Sequence, residues 1–75
     1  MSKPPALSSR EVIRAFERVG FTVVREEGSH KVMERPGHRF KLSVPCHKGE
    51  TVAPGTLRSL IRASGLTPEE FASLL

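Results

Sequence analysis

Gly28-Ser29-His30 is the part of this chain best suited to chemistry. Histidine alone has an ordinary pKa near neutral pH, so it can both take and give a proton. A glycine two positions before it lets the backbone turn sharply. On a basic chain this points to proton transfer on RNA. The simpler reading is a turn that leads into a strand. RNA carries its own nucleophile, the 2′-OH. A nuclease need only take that proton, stabilise the crowded phosphorane and help the 5′-oxygen leave. His30 would act as base or acid.

Such chemistry calls for a second proton-transfer group. His47, Lys31 and Lys41 are the candidates. His47 approaches His30 only if the second and third strands are neighbours. Ser29 could orient His30 or bind phosphate, though turn formation is its commoner role, and Gly28 supplies the turn. His38, beside Pro36-Gly37, is expected to be exposed. A metal site is not expected. His30, His38, Cys46 and His47 are the only soft ligands, and no Cys-x-x-Cys or His-x-x-x-His spacing occurs. Cys46 reads as a small buried hydrophobe.

The cations form two groups. Arg10, Arg14 and Arg18 fall on one stripe of a helix. Like charges at that spacing weaken a helix slightly, so the stripe is no stability device. It could track phosphates, although Glu11 and Glu17 can partly neutralise it. Arg58 and Arg62 form a shorter pair on a later helix, with Lys48 just ahead. That group resembles the phosphate-contacting end of a double-stranded-RNA binder.

The chain has 75 residues, 12 Lys+Arg against 8 Asp+Glu and a formal charge of +4. One domain over residues 1–75 is expected. A chain this short buries only about 60% of its unfolded surface, so its site should be shallow and its substrate large or extended. The positive balance favours a polyanionic partner, nucleic acid or an acidic protein, over a merely soluble basic domain. The single cysteine excludes an internal disulfide and fits a reducing cytosol. No apolar run nears the roughly 20 residues that span a bilayer, and residues 1–5 lack a signal-like stretch. A soluble, cytoplasmic protein without a membrane partner is expected. All four aromatics are Phe, at 16, 21, 40 and 71, and all sit where a core is expected. Base-stacking RNA readers display exposed rings, so backbone or groove recognition is the better expectation.

The elements that must hold His30 follow from periodicity. Residues 1–7 are Pro-rich and read as a loose arm. Ser8 and Glu11 have capping-box spacing, and Val12, Ile13, Phe16 and Val19 share one helical face. Gly20 is placed to end that helix in the left-handed region. Phe21-Thr22-Val23-Val24-Arg25 reads as a strand, and residues 30–35 as a second. Residues 39–44 alternate, with Phe40, Leu42 and Val44 on the buried side. Pro54 opens a second helix with Leu57, Leu60, Ile61 and Ser64 inward, and Gly65 ends it. Thr67 and Glu70 cap a short last helix with Phe71, Leu74 and Leu75 on its apolar face. The expected fold is α+β, in the order α-β-β-β-α. Its antiparallel three-stranded meander is covered on one face by helices, as in a double-stranded-RNA-binding domain.

At this point the chain resembles the HicA-type toxins of bacterial toxin–antitoxin pairs. The resemblance runs over residues 9–75. It is carried by Gly20-Phe21, Gly28-Ser29-His30, Val44-Pro45 with His47, and the block Gly55-Thr56-Leu57-Arg58-Ser59-Leu60-Ile61-Arg62-Ala63-Ser64-Gly65. It implies a double-stranded-RNA-binding-like fold, mRNA cleavage without a metal or other cofactor, and silencing by a HicB antitoxin. The family's catalytic histidine falls on His30. Lys31 stands where relatives often carry a second histidine or an aromatic. The rival reading is a non-catalytic RNA-binding module in which His30 only contacts phosphate or closes a turn.

Overall fold

The computed structural model describes residues 6–46 and 51–75. Strand β1 (Leu7–Ser8) leads directly into helix α1 (Ser9–Glu17). Ser8 Oγ accepts the Glu11 N–H at 3.1 Å, and the Glu11 carboxylate accepts the Ser8 N–H at 2.9 Å. Two orphan donors at the helix start are thereby satisfied. At the other end the Phe21 N–H donates to Phe16 C=O and the Gly20 N–H to Glu17 C=O. This paired pattern needs a left-handed residue between them, and Gly20 supplies it at φ 100°.

Strands β2 (Thr22–Glu27), β3 (His30–Glu34) and β4 (Leu42–Pro45) form an antiparallel sheet in the order β2-β3-β4. Strand β5 (Thr51–Val52), helix α2 (Pro54–Ser64) and helix α3 (Pro68–Ala72) complete the described residues. The three-stranded sheet and its helices make the α+β arrangement expected from the sequence. A second, two-stranded sheet was not expected: Leu7 pairs with Val52 and Ser8 with Thr51. Leu7, read as the end of a loose arm, is buried in the core instead. Its isobutyl group covers the end of α1, which is worth more than leaving it in water. Residues 1–5 of that arm lie outside the described residues.

Cross-strand partners share a face of a sheet, so register divides the side chains into two sets. Met33 pairs with Leu42, and Val44 lies two residues further along β4. These three join Val12, Ala15 and Phe16 of α1, Phe21, and Leu57 and Leu60 of α2 in one core. Phe16 lies at its centre, 5.9 Å from Phe21 and 5.2 Å from Phe71 between ring centroids. The opposite face carries His30, Val32 and Glu34 of β3. Val32 is buried but stands outside the core cluster, flanked by its partners Arg25 and Ser43.

Three expectations require correction. The third strand begins at Leu42 rather than 39, and the Phe40 ring is 57% exposed. His38, expected to be exposed, instead packs beside Phe21. The His38 ring packs edge-on at 5.2 Å from Phe21, and Nε2 donates to the Ala63 carbonyl at 2.7 Å. His38 is thus half-buried, not exposed, because it satisfies a carbonyl in the last turn of α2. Leu75 is 54% exposed, outside the apolar face of α3 that holds Phe71.

The difference between the phenylalanines is measurable. Phe16→Ala should cost about 3–5 kcal/mol of unfolding free energy, whereas Phe40→Ala should cost under ~0.5 kcal/mol. Urea denaturation of the two variants checks this. Equal losses would contradict the placement of Phe40.

Candidate active site

The site is built by one tight hairpin. Glu27 and His30 are register partners, so only Gly28 and Ser29 turn the chain. Gly28 has φ +61°, and a Cβ there would meet nothing within 4 Å. The demand for glycine is therefore set by backbone conformation and not by crowding. The Ser29 carbonyl accepts the Cys46 N–H at 2.6 Å, which carries the β3–β4 ladder one step past His30. His30 also pairs with Pro45. Its backbone is held on both sides while its half-buried imidazole stands on the face opposite the helices.

That face carries a chain of charges. Arg25 and Glu27 lie two residues apart on β2 and are joined by a salt bridge. Arg25 also reaches Glu34 at 3.9 Å, and Lys41 reaches Glu34 at 3.5 Å. The Arg25 guanidinium, by hydrogen bond and by charge, holds the Glu27 carboxyl below its ordinary range. Lys41 and His30 pull weakly in the same direction. The same contact raises Arg25. A bulge between Val23 and Arg25 shifts the β2 register and keeps Arg25 opposite Val32, on the His30 face.

The other candidates fall elsewhere. Lys31 lies on the helix side of β3, 3.9 Å from Glu26. It cannot share the His30 face, because neighbouring strand residues point opposite ways. Lys41 does share it. Arg10 and Arg14 are exposed on α1. Arg18, also exposed, donates from Nη1 to the Leu74 carbonyl at 2.7 Å, which ties it to the C-terminal segment. Arg58 and Arg62 are exposed on α2 beside an open groove of about 850 Å³ lined also by Leu57, Ile61, Leu66 and Pro68. The helix arginines are thus on the opposite side of the sheet from His30. Cys46 is half-buried against the core, its thiol donating to the Val44 carbonyl at 3.3 Å. His47 and Lys48 lie outside the described residues. Among the described residues no group of three or more His, Cys, Asp or Glu could hold a metal ion. None of their helices is long and apolar enough to cross a membrane.

Arg25, Glu27 and Glu34 were not singled out from the sequence. The signal was present: a two-residue turn puts residues 27 and 30 face to face, and alternation adds 25 and 34 to the same side.

A model of the HicA toxin of bacterial toxin–antitoxin systems matches residues 9–66. The chain belongs to the HicA toxin family. The match takes in α1, the whole sheet and α2, so it covers the elements that hold His30. As a HicA toxin the protein acts within a toxin–antitoxin pair and so has an antitoxin partner. Comparison with curated proteins finds no match.

The charge chain makes a prediction about pH. A carboxyl held below its ordinary pKa stabilises the fold above that ordinary value and loses the effect as pH falls through the lowered one. Arg25→Ala should therefore return the Glu27 titration towards 4.5, its unperturbed value. Side-chain carbonyl NMR across an acid titration measures the shift. An unchanged Glu27 titration would mean that Arg25 is not its partner in solution.

Proposed function

We propose that this HicA toxin is an endoribonuclease that cleaves mRNA, with His30 transferring the proton at the scissile phosphate. The observation that carries the reading is the position of His30. Its half-buried imidazole is reachable, its backbone is held on both flanks, and its face of the sheet also carries the cations Arg25 and Lys41. A flat open face suits a polymer better than a small molecule, which would need a pocket to be desolvated. Membership of a toxin family supports a cellular target whose loss is harmful.

The chemistry follows from the substrate. The ribose 2′-OH attacks the adjacent phosphorus, the bond to the 5′-oxygen breaks, and His30 moves a proton in that exchange. The products are a 2′,3′-cyclic phosphate and a 5′-hydroxyl. DNA has no 2′-OH and is spared. The nucleophile is supplied by the RNA, so no metal-activated water is called for. Arg25 and Lys41 offer donors to the phosphate oxygens. Arg58 and Arg62, with Arg10 and Arg14 of α1, contact more distant phosphates of the same RNA. A HicB-like antitoxin of acidic character silences the toxin by covering the His30 face, and opposite charge speeds that association.

Incubating the purified protein with RNA in EDTA tests the reading. Cleavage to cyclic-phosphate ends is expected, and His30→Ala should lower the rate by about 10²–10⁴-fold. Binding without cleavage would favour an RNA-binding module instead. Cleavage by His30→Ala at the wild-type rate would remove His30 from the mechanism. Arg58→Ala should weaken RNA binding evenly across sequences and lower the salt dependence by about one unit. A salt-titration binding assay reads this, and an unchanged slope would take α2 out of the RNA footprint.

A further inference from the structure

We propose that Glu27 is the general base of the cleavage reaction and that His30, in its cationic form, is the general acid. The proposal rests on the reading of His30 as the proton-transfer group and supplies the second group that the reaction needs.

Geometry comes first. Glu27 and His30 are direct partners across the two-residue turn. Direct partners have Cβ atoms about 4.5–5.5 Å apart on one face, and both side chains can splay to straddle a phosphate. Glu27 is 58% exposed and His30 half-buried, so a polymer can reach both. Nothing comparable stands beside His30 among the other carboxylates described. Glu26 lies on the helix side of the sheet beside Lys31, and Glu34 sits at the far end of β3 between Arg25 and Lys41.

The electrostatics then assign the roles. Arg25, with smaller help from Lys41 and His30, keeps Glu27 ionised, so it is ready to accept a proton. An imidazole in its protonated form can give one to the leaving oxygen. The Arg25–Glu27 and Arg25–Glu34 contacts are exposed, and such pairs contribute little to folding. An arriving phosphodiester can therefore take over Arg25 by a bidentate contact. That loosens the grip on Glu27 and places a second negative charge near it. Both changes make the carboxylate a stronger base at the moment the substrate is in place.

The step balances. Glu27 takes the 2′-OH proton, and the oxygen so freed forms its bond to phosphorus. The bond between phosphorus and the 5′-oxygen breaks, and the His30 imidazolium gives that oxygen its proton. A neutral carboxylic acid and a neutral imidazole remain, with a 2′,3′-cyclic phosphate and a 5′-hydroxyl. Proton exchange with solvent water, from Glu27 and to His30, restores the starting forms of both groups.

Single-turnover cleavage of a 5′-labelled mixed-sequence oligoribonucleotide, followed across pH, tests the assignment. Wild type, Glu27→Gln, Glu27→Asp and His30→Ala are compared, with melting temperatures as a control. In wild type the rate should fall at low pH as Glu27 gains a proton. Glu27→Gln should slow the bond-breaking step by about 10²-fold or more, keep substrate affinity, and abolish the acid limb. Glu27→Asp should restore part of the rate and the acid limb, which a merely structural role would not explain. If Glu27→Gln cleaves within about threefold of wild type with its acid limb intact, while His30→Ala is inactive, Glu27 is not the base and the nuclease reading survives. If wild type leaves the RNA intact, or His30→Ala cleaves normally, the nuclease reading fails and the role of Glu27 fails with it.

Discussion

The site depends on the parity of one short hairpin. Gly28 and Ser29 alone separate β2 from β3, so residue 27 must face residue 30. Strand side chains alternate, and a slip of one residue would exchange the two faces of β3. His30 would then turn towards the helices and Met33 towards water. The hydrophobic core prevents this. Met33 is fully buried between α1, α2 and the sheet, and exposing it would cost about 1.5–3 kcal/mol. Burial of a methionine thus fixes the orientation of a histidine three residues away. The positive φ of Gly28 lets so short a connection close at all.

The two faces of the sheet do different work. The helix side is apolar and close-packed around Phe16, Phe21 and Leu42. Its stability comes from burial, assisted by capping boxes at α1 and α3. The opposite side is polar, with Arg25, Glu27, Glu34 and Lys41 linked in a row. Ion pairs this exposed add little to stability. The row therefore leaves its charges available to a polyanion without threatening the fold. The cations on that face are balanced by carboxylates, while the arginines of α1 and α2 lie on the helix side. The overall positive charge favours long-range attraction of polyanions, while the His30 face itself is locally balanced.

His38 joins the two layers at the end away from His30. Its ring fills space beside Phe21, its Nε2 satisfies Ala63, and its Nδ1 faces the Arg35 guanidinium at 3.4 Å. Arg35 in turn lies over the Phe21 ring, 4.8 Å from the centroid, and donates to the Val19 carbonyl. The loop between β3 and β4 is therefore pinned to both α1 and α2. A histidine used in this way is a hydrogen-bonding core residue. It differs from His30 in that both its ring nitrogens face protein groups.

The sequence by itself determined most of the elements. Ser8 with Glu11 and Thr67 with Glu70 announced two helix starts, and Gly20 and Gly65 two helix ends, because capping is a local matter of a few residues. Alternation and turn residues announced the hairpin, and Gly28-Ser29-His30 with the Gly55–Gly65 block announced the family. Tertiary structure decided what depends on residues distant in the chain. It paired Leu7 with Val52 and so drew a presumed arm into the core. It gave the place beside Phe21 to His38, because Ala63 needed a donor there, and left Phe40 outside. It separated Lys31 from His30 and set Glu27 and Arg25 beside it. Local spacing tells which residues form a strand, but only pairing between strands and packing against helices tells which face meets water.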